Sequence, residues 1–214
     1  MKQHFILKEN HSSLLLFFAG WGMDEKPFEK YRPLTSDYMI CYDYRSLDFD
    51  KSLISGYDAI KIVAWSMGVW VAANILNKLK CTFKECVAVN GTPFPIDDRR
   101  GIPVSVFEGT LNNLTQATLH KFQRRMCGDS ETFAEYLAAA PQRTLAEIKE
   151  ELFLLKSYYE QSELTGFQWD KVYLSKADKI FPYVNQQHAW QDYKKIIEET
   201  PHYSHKLWCE IFES

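Results

Sequence analysis

One short run constrains this chain more than any other. Ile60-Lys61-Ile62-Val63-Ala64-Trp65 is an apolar stretch that reads as a buried strand. At Met67 the pattern changes: Val69, Ala72, Ala73, Leu76 and Leu79 recur at helical spacing, which predicts a helix over 67–79. Between the two stands Ala64-Trp65-Ser66-Met67-Gly68. A strand that turns sharply into a helix, with a serine at the turn and small residues two places either side, is the geometry of a nucleophile elbow. Ala64 stands where glycine is usual, and it is still small. The competing reading is an ordinary serine capping a helix.

The context favours the elbow. Phe5-Ile6-Leu7, Leu14-Leu15-Leu16-Phe17-Phe18, Tyr38-Met39-Ile40-Cys41-Tyr42, Glu85-Cys86-Val87-Ala88-Val89-Asn90 and Trp169-Asp170-Lys171-Val172-Tyr173-Leu174 read as further strands, with a short one near 194–198. Helices are expected over 183–190 and 204–212. Alternating strands and helices predict an α/β fold with a mostly parallel central sheet and helices on both faces. Residues 111–166 lack a convincing strand, and Thr144-Leu145-Ala146-Glu147 is a capping box. That stretch is expected to be a small helical lid inserted in a single domain, 1–214, a length that suits one domain.

A serine hydroxyl needs a base within hydrogen-bond reach and donors where an oxyanion forms. The Met67 N–H, next after the serine, is one expected donor. The other comes from a loop after an early strand, and Ala19-Gly20-Trp21-Gly22 is so placed, with the Trp21 N–H as donor. In the order Ser, Asp, His, the acid follows a late strand. Asp178, in Ser175-Lys176-Ala177-Asp178-Lys179-Ile180-Phe181-Pro182, meets that requirement. Three histidines follow it. His188 falls within a predicted helix. His202, in the loop Thr200-Pro201-His202, is the preferred base, and His205 is the alternative. His4, His11 and His120 precede the acid.

Net charge of −3 argues against a general nucleic-acid binder. No apolar run approaches a bilayer span, and no signal peptide is evident. Five cysteines without a CxxC spacing argue against a disulfide framework or a zinc site, so reduced thiols in the cytoplasm are expected.

Phe18-Ala19-Gly20-Trp21-Gly22-Met23, Ala64-Trp65-Ser66-Met67-Gly68, Asn90-Gly91-Thr92-Pro93-Phe94-Pro95 and Lys121-Phe122-Gln123-Arg124-Arg125-Met126-Cys127 together resemble the BioG-type pimeloyl-[acyl-carrier protein] methyl ester esterases of biotin synthesis, over nearly the whole chain. The first two runs are also similar to BioH-type esterases. Ala19 stands where many α/β-hydrolases have histidine. The resemblance implies an α/β-hydrolase fold. It also implies hydrolysis of the methyl ester on a pimeloyl chain carried by acyl carrier protein, with Ser66, Asp178 and His202 as triad, Trp21 and Met67 at the oxyanion, and no metal or cofactor.

An apolar acyl chain wants an apolar channel, for which Trp21, Trp65, Trp70, Phe122 and Met126 are candidates. An acidic carrier wants a basic dock, for which Lys121, Arg124, Arg125 and Arg143 are candidates. The protein is expected to be a monomer, with no nucleic-acid or membrane partner. Two rival readings stay open: an esterase or thioesterase for another acyl group, and a non-catalytic binding protein on the same fold.

Overall fold

The computed structural model describes residues 1–79, 81–163 and 166–212. Seven strands form one sheet: β1 (Lys2–Leu7), β2 (Ser13–Phe18), β3 (Asp37–Tyr42), β4 (Ala59–Trp65), β5 (Glu85–Val89), β6 (Lys171–Ser175) and β7 (Lys195–Glu198). Their order is β1-β3-β2-β4-β5-β6-β7. Only β1 is antiparallel to its neighbour, and every other pairing is parallel.

The apolar runs explain this layout. All six residues of β3 are buried, as are five of the six in β2. Successive strand residues point to opposite faces, so a strand buried at every position is covered on both sides. Covering both faces requires helical crossovers, which force the strands parallel.

The helices are α1 (Met67–Leu76), α2 (Val104–Asn112), α3 (Gln116–Cys127), α4 (Ser130–Ala138), α5 (Leu145–Glu160), α6 (Tyr183–Ala189) and α7 (His205–Phe212). Helix α1 stops a turn short of the predicted Leu79, because its end tightens into i to i+3 bonds from Lys78 to Ile75 and from Leu79 to Leu76. Four consecutive helices, α2 to α5, lie between β5 and β6. This helical region begins at Val104, ahead of the predicted 111. Of the predicted stretch, residues 164 and 165 lie outside the described residues. The capping box of α5 is present, with Thr144 and Glu147 each bonding the other's backbone N–H. Among the described residues no helix is long and apolar enough to cross a membrane.

Parallel strands deliver their following loops to one edge of the sheet, where α/β proteins place their ligands. The loops after β2, β4, β6 and β7 carry Trp21, Ser66, Asp178 and His202 respectively.

Candidate active site

Ser66 adopts φ 60° and ψ −129°, a positive-φ conformation that a residue with a Cβ enters only under strain. The surroundings hold it there. Its N–H donates to the Val89 carbonyl at 3.0 Å, and its carbonyl accepts from Val69 at 3.1 Å. A Cβ at Gly68 would collide with the Phe18 and Ala19 carbonyl oxygens. That close approach is why the position two after the serine must be glycine. Ala64, two before it, fits a fully buried site with its methyl in place.

The Ser66 hydroxyl lies 3.0 Å from His202 Nε2, and His202 Nδ1 lies 2.7 Å from Asp178 Oδ2. A carboxylate at Nδ1 places the ring proton there and leaves Nε2 as acceptor for the serine hydroxyl. The other Asp178 oxygen, Oδ1, accepts the Ile180 and Phe181 N–H groups at 2.7 and 2.9 Å. Gln186 donates to Asp178 Oδ2 at 3.0 Å and to the Phe181 carbonyl at 2.8 Å. The imidazole stacks on Phe181, with centroids 5.9 Å apart and planes 6° apart, and faces Trp65 at 5.1 Å. The backbone of His202 is fixed as well: its carbonyl accepts from Trp65 Nε1 at 3.1 Å and from Asn90 Nδ2 at 3.0 Å. His205 bonds Tyr31 at 2.9 Å, and His188 is exposed against the Arg99 carbonyl.

Ser66, Trp21, Met67, Trp65, Phe122 and Met126 all line one narrow cleft. Ile102, Val106, Phe107, Leu152 and Ile180 complete its apolar wall, and Arg125 stands among them. Helices α2, α3 and α5 therefore roof the serine. Trp21 packs edge-on against Phe122 at 5.1 Å, and its indole N–H donates to the Ile148 carbonyl at 2.8 Å. Met67 opens α1, so its N–H is one of the first-turn donors without a partner inside the helix. Trp65 contributes ring surface, but its N–H is committed to His202. Trp70 packs on Tyr159 at 5.8 Å and does not line this cleft, which corrects its assignment to the acyl channel.

The basic candidates divide. Lys121, Arg124 and Arg125 are exposed on α3. Lys121 and Arg125 line a second, open groove that shares Val106, Thr110, Phe122 and Arg125 with the serine cleft. Arg143 is corrected: its side chain is only 4% exposed and pairs with Asp43 at 2.9 Å and Glu151 at 2.6 Å. A guanidinium enclosed by two carboxylates cannot dock a partner.

Asn90, Gln186, Phe181 and Glu151 were not singled out by the pattern of the chain. Asn90 carried one signal, its place at the end of β5 inside the Asn90–Pro95 run. Gln186 and Glu151 sit mid-helix, where a polar residue ordinarily reads as solvent-facing. Among the described residues no group of three or more His, Cys, Asp or Glu side chains could hold a metal ion.

Comparison with known proteins agrees with this architecture. The family model described as "Pimeloyl-ACP methyl esterase BioG" matches residues 1–211. A malonyl-[acyl-carrier protein] O-methyltransferase of Bacteroides fragilis is 52% identical over 195 residues, 90% of this chain. The chain spans 40% of the length of that relative. The crystal structure of BioG from Haemophilus influenzae superposes with a TM-score of 0.90 at 38% identity, covering 100% of both chains. An esterase from Exiguobacterium antarcticum, at TM-score 0.65 and 13% identity over 94% of this chain and 87% of its own, shares the fold. The chain thus has an α/β-hydrolase fold and belongs to the BioG family of pimeloyl-ACP methyl esterases.

Proposed function

We propose that this chain hydrolyses the methyl ester of pimeloyl-[acyl-carrier protein] methyl ester, giving methanol and pimeloyl-[acyl-carrier protein] for biotin synthesis. The observation that carries the reading is the relay from Ser66 Oγ through His202 to Asp178, buried at the foot of an apolar cleft. Membership of the BioG family supports the substrate.

The proposed reaction has two halves. His202 Nε2 takes the Ser66 proton as Oγ attacks the ester carbonyl. The Trp21 and Met67 N–H groups stabilise the oxyanion. The tetrahedral intermediate collapses, methoxide takes the proton from His202, and methanol leaves a pimeloyl-Ser66 ester. Water then gives its proton to His202 and attacks the acyl carbon. The proton returns to Ser66 as the free acid departs, and the acid then gives its remaining proton to solvent. Asp178 orients the imidazole and stabilises its cation, and is itself held by four donors.

The uncharged acyl chain lies along Ile102, Val106, Phe107, Phe122 and Leu152, under the lid of α2 to α5. The acidic carrier docks on Lys121, Arg124 and Arg125 beside the mouth. We place the reaction in the cytoplasm, in a monomer, without a cofactor. Mass spectrometry of methyl-pimeloyl carrier protein tests the proposal. The expected product keeps its pimeloyl group and loses one methylene in mass, and Ser66→Ala abolishes the conversion. Loss of the whole acyl group would instead indicate a thioesterase, and full activity in Ser66→Ala would overturn the mechanism.

A further inference from the structure

We infer that Glu151 is a positioning residue for the oxyanion loop, clamping the Gly22 peptide so that the adjoining Trp21 N–H is held against the reacting ester. The inference rests on the reading of Trp21 as an oxyanion donor.

The loop Gly20–Met23 cannot hold itself firmly. Its internal bond, from the Met23 N–H to the Gly20 carbonyl, is long at 3.4 Å. Gly22 at φ 76° gives the chain a conformation with little intrinsic preference to enforce it. Rigidity comes from α5. Glu151 is fully buried, and its Oε2 accepts the Gly22 N–H at 3.1 Å. The other oxygen, Oε1, accepts the Tyr44 N–H from the loop after β3 at 2.8 Å. Arg143 donates to Glu151 Oε2 at 2.6 Å and to Asp43 at 2.9 Å, and reaches the Met23 carbonyl at 3.3 Å. One turn earlier on α5, the Ile148 carbonyl takes the Trp21 indole N–H. Two successive turns of a roof helix thus grip two successive residues of the loop.

Energetics argue against a merely structural role. A buried carboxylate–guanidinium pair rarely stabilises a fold more than apolar residues of the same volume would. This pair spends its bonds on loop backbone instead. Gln at 151 is nearly isosteric, but it has one acceptor oxygen where Glu has two. Whichever way its amide turns, an NH₂ meets either the Tyr44 N–H or the Gly22 N–H and the Arg143 guanidinium.

The test compares Glu151→Gln with Asp37→Asn, a buried carboxylate bonded to the Glu9 and His11 N–H groups before β2. Three quantities are read: kcat and KM on a short-chain p-nitrophenyl ester, the rate of Ser66 labelling by a fluorophosphonate, and Tm. Removing an oxyanion donor outright costs about 10²–10³ in rate, so a loosened donor should cost about 10–100-fold in kcat and in labelling rate, with KM little changed. Asp37→Asn should lower Tm and leave kcat within about twofold. If Glu151→Gln does not fold, Arg143→Lys keeps the charge but cannot reach all three acceptors, and a smaller fall in kcat is expected.

Equal kcat and labelling in Glu151→Gln and wild type would overturn the clamp alone. So would a parallel loss of kcat in Asp37→Asn, which would make the effect one of stability. If Glu151→Gln does not fold, unchanged kcat in Arg143→Lys would overturn it. A wild-type protein inert to the fluorophosphonate would overturn the reading of Ser66 and the clamp with it.

Discussion

At the residue scale, His202 is held by a neighbour whose partners nothing in the chain's pattern names. Asn90 holds φ 45° at the end of β5, fully buried. Its Nδ2 donates to the His202 carbonyl, and its Oδ1 accepts the Ser175 N–H at 2.9 Å. It therefore ties His202 to β6, the strand that leads to Asp178. Asn90→Gly keeps the backbone conformation and removes both bonds, whereas alanine would add strain. Steady-state kinetics should show kcat down about tenfold with KM unchanged, and denaturant melts a loss of about 1–3 kcal/mol, the usual cost of leaving buried partners unmet. Unchanged kcat would mean that Trp65 alone fixes the His202 carbonyl. That Ser66, Asp178 and His202 come together was legible, because each follows a strand in the chain order that an α/β-hydrolase fold gives to Ser, Asp and His. The partners of Asn90 and Gln186 were not: Asn90 acts through a long-range bond, to His202 112 residues away. Gln186 reaches Asp178 across only eight residues, but from a helix face that nothing in the sequence identifies as buried.

At the scale of elements, α3 is where the serine cleft meets a basic surface, which the proposed function assigns to the acyl chain and the carrier. Leu119 and Met126 are buried, Phe122 enters the cleft, and Lys121, Arg124 and Arg125 remain outside. Lys121 and Arg125, four residues apart, share a helix face. Reversing both charges, Lys121→Glu with Arg125→Glu, should raise KM for the carrier-bound ester at least about tenfold and weaken its dependence on salt. Hydrolysis of a free short-chain methyl ester should change little. A matching loss on the free ester would show that these residues act on the acyl chain rather than on the carrier. The strands were readable from apolar runs, because a strand covered on both faces must be apolar at nearly every position. Helix α2 escaped notice. Pro103-Val104-Ser105-Val106-Phe107 has weak helix propensity, and its first N–H is capped by Asp98 from six residues upstream, at 2.8 Å. Burial of Phe107 and Leu111 overrides propensity there. Arg143 escaped because a charged residue near a capping box looks exposed, and only the fold brings Asp43 and Glu151 to it.

For the whole molecule, the acid limit of stability should be set by two buried carboxylates at opposite ends of β3, Asp37 where it starts and Asp43 just past its end. Burial alone would raise the Asp37 carboxyl. The Tyr57 hydroxyl, the Glu9 and His11 N–H groups and the His11 ring outweigh it and hold it down at about 2. Burial acts the same way on Asp43, which hydrogen bonds from Arg45 and the charges of Arg143, Arg45 and Lys2 also bring down to about 2. A carboxylate whose pKa falls on folding stabilises the fold above its unfolded value and loses that contribution as pH falls through the folded one. The window here runs from the ordinary value of 3.8 down to about 2. Each group is worth up to about 2 kcal/mol at neutral pH, a sizeable share of a typical domain's stability of about 5–15 kcal/mol. Urea melts at pH 7, 4 and 3 should therefore show little change between the first two and a steep loss at the third. Asp37→Asn should lower stability at pH 7 by about 2 kcal/mol and flatten the acid limb, because the variant has no proton to take up at that site. Asp43 would still titrate in the variant, so part of the slope should remain. An Asp37→Asn protein that lost stability between pH 4 and 3 as steeply as the wild type would place the acid sensitivity elsewhere.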